Sequence, residues 1–246
     1  MTTISIGRGC QLLGISRQAY YQQLERERTQ KDRMQTIINA VLRERLLQPR
    51  IGTRKLQRLL RQSGVSVGRD RLFRLLREHR LLVPRQRAYH KTTQSHHRFR
   101  KHPNLLKPGE HQVIPLRPEQ VWVADITYLP VYQGEAYLSL VTDAYSRKIV
   151  GHQVHDNLKT ESVIGAFQQA LKQRQSRGEL IHHSDRGIQY CSAQYQALHA
   201  KHGVRCSMTD GYDCYQNALA ERVNGILKQE FLLRKPMDLT EAKAMV

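Results

Sequence analysis

The 246-residue sequence predicts an all-helical, helix-turn-helix region followed by an α/β domain built on a mixed sheet. Leucines at helical spacing mark the first part, as in Leu56, Leu59 and Leu60 or Leu72, Leu75 and Leu76. Three runs rich in β-branched and aromatic residues open the second part at Val121, then give way to alternating helical and strand patterns. Charge divides the chain at the same place. Residues 1–118 hold 26 Lys plus Arg against 7 Asp plus Glu, and residues 119–246 hold 14 of each, so the whole net charge of +19 lies in the first part. The expected organisation is a short helix-turn-helix over 1–30, a second over 31–83, a basic linker over 84–118 and a sheet domain over 119–246.

Taken in order, CQLLGISRQAYYQQLERE places Leu12 and Leu13 at the end of one helix, Gly14 at a turn and Ser16 as the cap of the next. Ile37, Ile38, Val41 and Leu42 then mark an amphipathic helix, and Gly52 and Thr53 open another that ends at Ser63-Gly64. The stretch SVGRDRLFRLLREHRLL sets its leucines inward and Arg69, Arg71, Arg74 and Arg77 outward. A helix that is apolar on one stripe and arginine-rich elsewhere can lie in a DNA groove. Arginines also decorate ordinary solvated helices, and here the regional excess of positive charge favours phosphate neutralisation. Arg54 and Lys55, at the start of the preceding helix, belong to the same basic surface. Residues 84–118 show no periodicity and read as a basic tether; His96 and His97 have no partner at metal-ligand spacing.

In the second part, VWVADITYLPV, AYLSLVTDAY and KIVGHQVHD predict a three-stranded meander with turns at Gln133-Gly134 and Ser146-Arg147. A helix follows from about Thr160, then the strand LIHHS, a helix over Ala193 to Lys201, the strand GVRCSM and a last helix from about Gln216. The four cysteines show neither CxxC pairing nor zinc spacing, which suggests reduced thiols. No apolar run approaches the roughly 20 residues a bilayer span needs, and the N-terminus lacks a secretory core, so no membrane association is expected.

Three carboxylates carry the candidate chemistry. Asp125 interrupts an otherwise apolar strand, where an uncompensated charge is costly. Asp185 ends LIHHSD, at the strand end where α/β sheets place ligands. Glu221 shares a polar stripe with Asn217, Asn224 and Lys228 on the last helix. In-line phosphodiester chemistry wants two divalent ions roughly 3.5–4 Å apart, clamped by such carboxylates, and magnesium keeps open positions for phosphate and water.

The motifs WVADITYL, LVTDAYSRKIVGH, HHSDRGIQY and NALAERVNGILKQE, with 35 residues between Asp185 and Glu221, resemble the retroviral-integrase-like transposases encoded in the second reading frame of bacterial insertion sequences. The likeness reaches back through IGTRKLQRLL and VGRDRLFRLLREHRLL. It implies an RNase H-like core in which Asp125, Asp185 and Glu221 bind two Mg2+ ions, with Mn2+ able to substitute. It further implies that Lys228 meets DNA phosphate, that Tyr190 and Asn217 shape the site, and that Asp143 holds a turn. The activity implied is DNA strand cleavage and strand transfer at element ends. The partners implied are duplex DNA, further copies of the chain and an upstream-reading-frame product, in the bacterial cytoplasm at the nucleoid. Two features depart from the family pattern: the loop MTDGYDCYQNA, acidic at Asp210 and Asp213, and the short stretch after Glu221. The alternative expectation is a truncated, non-catalytic copy that occupies element ends and inhibits transposition.

Overall fold

In the computed structural model, which describes residues 5–84, 101–210, 217–231 and 235–246, the chain divides into a helical unit, Met1–Arg85, and a sheet unit, Gln86–Val246. The helical unit begins with α1 (Ile6–Leu12), closed by Gly14 at φ +65, a conformation that costs glycine nothing. The Ser16 hydroxyl then accepts the Ala19 N–H at 3.0 Å and starts α2 (Arg17–Leu47). This single helix of 31 residues runs straight through the boundary expected at residues 30–31. The physical reason is in the sequence: from Arg17 to Leu47 there is no glycine or proline, and Gln, Glu, Arg, Lys and Leu propagate a helix well. Only its C-terminal half is buried. Ile37, Ile38, Ala40 and Val41 pack against Leu56 and Leu60 of α3 (Thr53–Gln62) and Leu72, Leu75 and Leu76 of α4 (Arg69–Glu78).

The sheet unit has five strands in the order β3-β2-β1-β4-β5. β1 (Val121–Leu129), β2 (Ala136–Asp143) and β3 (Ile149–His155) form an antiparallel meander, while β4 (Leu180–Ser184) and β5 (Val204–Met208) continue from β1 in parallel. Parallel neighbours need crossovers, supplied by α5 (Thr160–Gln173) before β4, and by the single turn α6 (Ile188–Cys191) and α7 (Ala193–Lys201) before β5. This is the RNase H-like arrangement. The meander turn at Ser146-Arg147 is held by Asp143, whose carboxylate accepts the Ser146 N–H at 2.7 Å and the Glu119 N–H at 2.6 Å.

Strand alternation covers both faces of the sheet. Trp122 and Ala124 of β1 pack with Val163, Ala166, Phe167 and Ala170 of α5 and Tyr195 of α7. Val121 and Val123 pack on the opposite face with Ala220 of α8 (Ala218–Ile226), and Leu129 with Ala242 of α9 (Leu239–Met245). Gly151 on β3 lets α5 approach closely, because a Cβ there would stand 2.1 Å from the Ala166 carbonyl oxygen.

Two sequence expectations are corrected here. The last helix is not regular throughout: α8 gives way at Leu227–Phe231 to a π turn. The stretch 101–118, expected as part of a basic tether, is tied to the sheet between Pro103 and Val113. The Pro103 carbonyl accepts the Met208 N–H at 3.2 Å and the Leu105 N–H donates to Ser207 Oγ at 2.9 Å. Leu105, Leu106 and Val113 pack on Val121, Val123 and Ile181. These three apolar residues are too irregularly spaced to give a periodic signal. Residues 85–100, with His96 and His97, and the loop residue Asp213 lie outside the described residues. Among the described residues no helix is long and apolar enough to cross a membrane.

Candidate functional site

β1 and β4 pair in parallel as Val121–Ile181, Trp122–His182 and Val123–His183. That pairing brings β1 towards the end of β4, and the carboxylates of Asp125, in β1, and Asp185, just after β4, lie close enough to repel each other. Both belong to the alternation set that includes Val121, Val123 and Ile181, the face covered by α8. Asp185 follows the last residue of β4, and its Oδ1 accepts the Gly187 N–H at 2.9 Å, which fixes the carboxylate as the chain turns into α6.

Asp125 is surrounded by protein on most sides. Its Oδ1 accepts the Ile126 N–H at 2.9 Å and its Oδ2 accepts the Asn224 side-chain amide at 2.7 Å. Burial pushes its pKa up to about 7, and the negative charge of Asp185 pushes in the same direction; the Ile126 N–H opposes this, Glu221 adds repulsion, and the Asn224 amide opposes again. Glu221, in the first turn of α8, is exposed, and partial burial holds its carboxyl above the ordinary value. The two aspartates are therefore brought together, and Glu221 stands within electrostatic reach of Asp125 but further out. Among the described residues no three His, Cys, Asp or Glu side chains are gathered closely enough to enclose a metal ion.

The other expected site residues frame this pair. The buried Asn217 amide donates to the Ala124 carbonyl at 3.2 Å and fastens the start of α8 to β1. Tyr190, on α6, is 2% exposed, and its hydroxyl has no hydrogen-bond partner among the described residues. Its ionisation is suppressed chiefly by burial, then by Tyr195 and by the charges of Asp125 and Asp185. Lys228 is half-buried in the π turn; burial lowers its pKa, and the charge of Asp125 acts against that. Asp210 is ion-paired with Lys107 at 2.8 Å. The Asn224–Asp125 hydrogen bond is the contact at this site that sequence reasoning missed. The membership of Asn224 in the polar stripe was visible, but its partner is 99 positions away in the chain.

A second polar cluster lies on the opposite face. The Tyr195 hydroxyl and His182 Nε2 are 3.1 Å apart, and His199 Nδ1 lies 2.8 Å from the Tyr195 carbonyl oxygen. Phe167 stacks on the His199 ring with centroids 4.6 Å apart. Burial drives His182 well below its ordinary pKa and His199 down to about 4.

On the helical unit, Arg69, Arg71, Arg74 and Arg77 are all exposed on α4. Arg69 is engaged by its neighbour Asp70 at 2.8 Å, and the Arg77 guanidinium lies 4.9 Å from the Phe73 ring centroid. Arg54 is exposed and Lys55 half-buried on the first turn of α3.

Two family models, both described as integrase core domain, match residues 115–214 and 202–246. The chain is 36% identical over 225 residues to the insertion element IS600 uncharacterized 31 kDa protein of Shigella sonnei, covering 91% of this chain and 82% of that one. It is 31% identical over 233 residues to the transposase InsF for insertion sequence IS3A of Escherichia coli K12, covering 92% and 79%. The HTLV-2 integrase catalytic core domain in complex with magnesium is similar over 46% of this chain and 70% of its own, with 23% identity and a TM-score of 0.39. With relatives of this identity aligned over most of both chains, the chain belongs to the bacterial insertion-sequence transposases.

Proposed function

We propose that the chain is a divalent-metal-dependent polynucleotidyl transferase that cleaves a DNA strand at insertion-sequence ends and joins the freed end to a target strand. The observation that carries this reading is the mutual repulsion of Asp125 and Asp185, which acts with burial to lift the pKa of Asp125 to about 7. A fold that maintains such a pair is suited to a cation, which relieves the repulsion. The donors are of the type magnesium takes, since they are hard carboxylate oxygens. Asp125, Asp185 and Glu221 would hold two Mg2+ ions, or Mn2+ in their place, which when bound stabilise the attacking and leaving oxygens of an in-line displacement.

The chain's own residues prepare that site. Asn224 and the Ile126 N–H hold the two oxygens of Asp125 in a fixed orientation. The Gly187 N–H does the same for Asp185, and Asn217 anchors the helix that carries Glu221. Tyr190 closes the apolar side next to both aspartates, and Lys228 offers a cation to the DNA phosphate. In cleavage, a water oxygen bonds to phosphorus as the P–O3′ bond breaks and the 3′-oxygen leaves with a proton. In joining, that 3′-hydroxyl attacks a target phosphodiester and the displaced oxygen is protonated. The basic helical unit binds duplex DNA through Arg54, Lys55 and the α4 arginines. Joining two ends calls for more than one copy of the chain, and an upstream-reading-frame product is a further partner of this reading, at the bacterial nucleoid.

The test is magnesium-dependent strand transfer on element-end DNA by the full chain and by Asp185→Asn. Loss of joining with DNA binding retained supports the reading. Joining by Asp185→Asn overturns the site, and DNA binding without metal-dependent joining by the unaltered chain returns it to the non-catalytic alternative.

A further inference from the structure

We propose that the groove between α2 and α4 of the helical unit seats the sugar-phosphate backbone of duplex DNA, with Arg26 and Arg33 of α2 acting together with Arg71 and Arg74 of α4. This deepens the DNA-binding reading above and rests on it. The groove is shallow and open to solvent, with a volume of about 820 Å³. Its α2 wall includes Gln22, Arg26, Thr29 and Arg33, which recur at i, i+4, i+7 and i+11 and so share one face of the helix. One turn further on, that same face carries Ile37 and then Ala40 and Val41, buried on α3 and α4. A single helical stripe thus changes from apolar to cationic where it passes beyond the core. The change is unnecessary for folding, since any polar residue would serve on a solvated helix.

Four arginines and one acid, Glu25, line the groove, a balance of 4 − 1 = +3. Among the described residues none of the four arginines forms an ion pair with a carboxylate. Guanidinium groups that outnumber the nearby acids, here Glu25 and Asp70, repel one another, and a polyanion reduces that repulsion. The planar guanidinium fork matches phosphate oxygens, and neutral donors such as Gln22 and Thr29 are of the kind that also contact the backbone. Arg26 and Arg33 lie seven residues apart, about 10 Å along the axis. Each DNA strand carries a charge every 3.4 Å or so of duplex axis, so the two arginines meet separate phosphates.

The test measures binding of the full chain to a mixed-sequence duplex as salt is varied. Each lost phosphate contact lowers the slope of log affinity against log salt by about 0.9. Arg26→Gln with Arg33→Gln should lower it by about 1.8, weaken all duplex sequences equally, and leave the thermal unfolding curve unchanged because both side chains are exposed. Arg26→Lys with Arg33→Lys should restore most of the slope. Arg17→Gln with Arg28→Gln, which removes the same charge from the opposite side of α2, should leave it nearly unchanged. Equal losses from the two glutamine pairs would mean that only net charge matters, and the groove assignment fails. An unaltered slope in the Arg26/Arg33 pair also defeats it while leaving DNA binding intact, whereas a flat slope in the unaltered chain defeats the DNA-binding reading itself. Preferential capture of polyglutamate over duplex of equal charge would assign the groove to an acidic protein and overturn the proposal.

Discussion

Strand β4 and the residue that follows it carry ionisable groups in two different settings within four residues. His182 sits in the aromatic cluster with Phe167, Tyr195 and His199, and Asp185 stands beside Asp125 on the face covered by α8. In the first region the protein favours neutral groups: burial depresses both imidazoles, and Tyr195 and Phe167 meet them with a hydroxyl, a carbonyl and a ring face. In the second it holds like charges together and shields only part of them. The first arrangement fills the core between the sheet, α5 and α7. The second costs stability in the absence of a cation, as a binding site commonly does.

Removing a carboxylate should separate the two most sharply. Asp125→Asn or Asp185→Asn should lower metal-dependent nicking and joining by on the order of 10³-fold or more, corresponding to several kcal/mol of lost charge stabilisation. The double variant should be little worse than either single one, because residues acting as a unit are not additive. Single-turnover cleavage of element-end DNA measures this, with DNA affinity as the reference that should not move. Strictly multiplicative losses would mean that the two aspartates do not share a site.

A smaller effect is expected at the hydrogen bond that orients the pair. Asn224→Ala removes the amide from Asp125 Oδ2 and should lower activity by about 10–100-fold, the usual cost of losing a partner behind a metal ligand. Raising the magnesium concentration should recover part of that loss. A merely structural asparagine would lower the unfolding temperature without changing the magnesium dependence.

The smallest effect tests the comparison through pH. His199, depressed to about 4 from an ordinary value near 6.5, contributes stability that is present above that ordinary value and is lost as pH falls towards 4. Asp125, raised to about 7, does the opposite. The native state keeps a proton that the unfolded chain releases near pH 4, so stability falls as pH rises towards 7. Each contributes a slope of at most about 1.4 kcal/mol per pH unit, with opposite sign, and the two partly cancel in the metal-free protein. Denaturant unfolding between about pH 4 and 7 should therefore steepen in opposite directions in Asp125→Asn and His199→Phe. Parallel profiles would show that one of the two groups is solvated.

Much of this was legible because it is local. The leucine stripes of α3 and α4, the serine cap at Ser16, the meander turns and the Asp185–Glu221 spacing all lie within short windows of sequence. What escaped is non-local. The approach of Asp185 to Asp125 depends on the β1–β4 pairing, and the Asn224 bond joins residues 99 positions apart. HHS in β4 reads as a strand, but nothing in its spacing announces that His182 meets Tyr195 and His199 on a crossover helix. The division expected at residues 30–31 falls inside α2, where a stretch without glycine or proline gives the helix no place to break.

The segment that leaves its tether to lie along β5 has a practical consequence for dissecting the protein. β5 is the last strand of the sheet, and its Met208 N–H and Ser207 hydroxyl are engaged by Pro103 and Leu105. Leu105, Leu106 and Val113 meanwhile cover Val121, Val123 and Ile181. A fragment begun at Glu119, where composition changes, would bare an open strand edge and an apolar patch together, the combination that invites self-association. It should elute as aggregate in size-exclusion chromatography, whereas a fragment begun at Lys101 should remain dispersed. Among the described residues, the packing of the sheet unit reaches back to Pro103, well before its composition changes at Glu119.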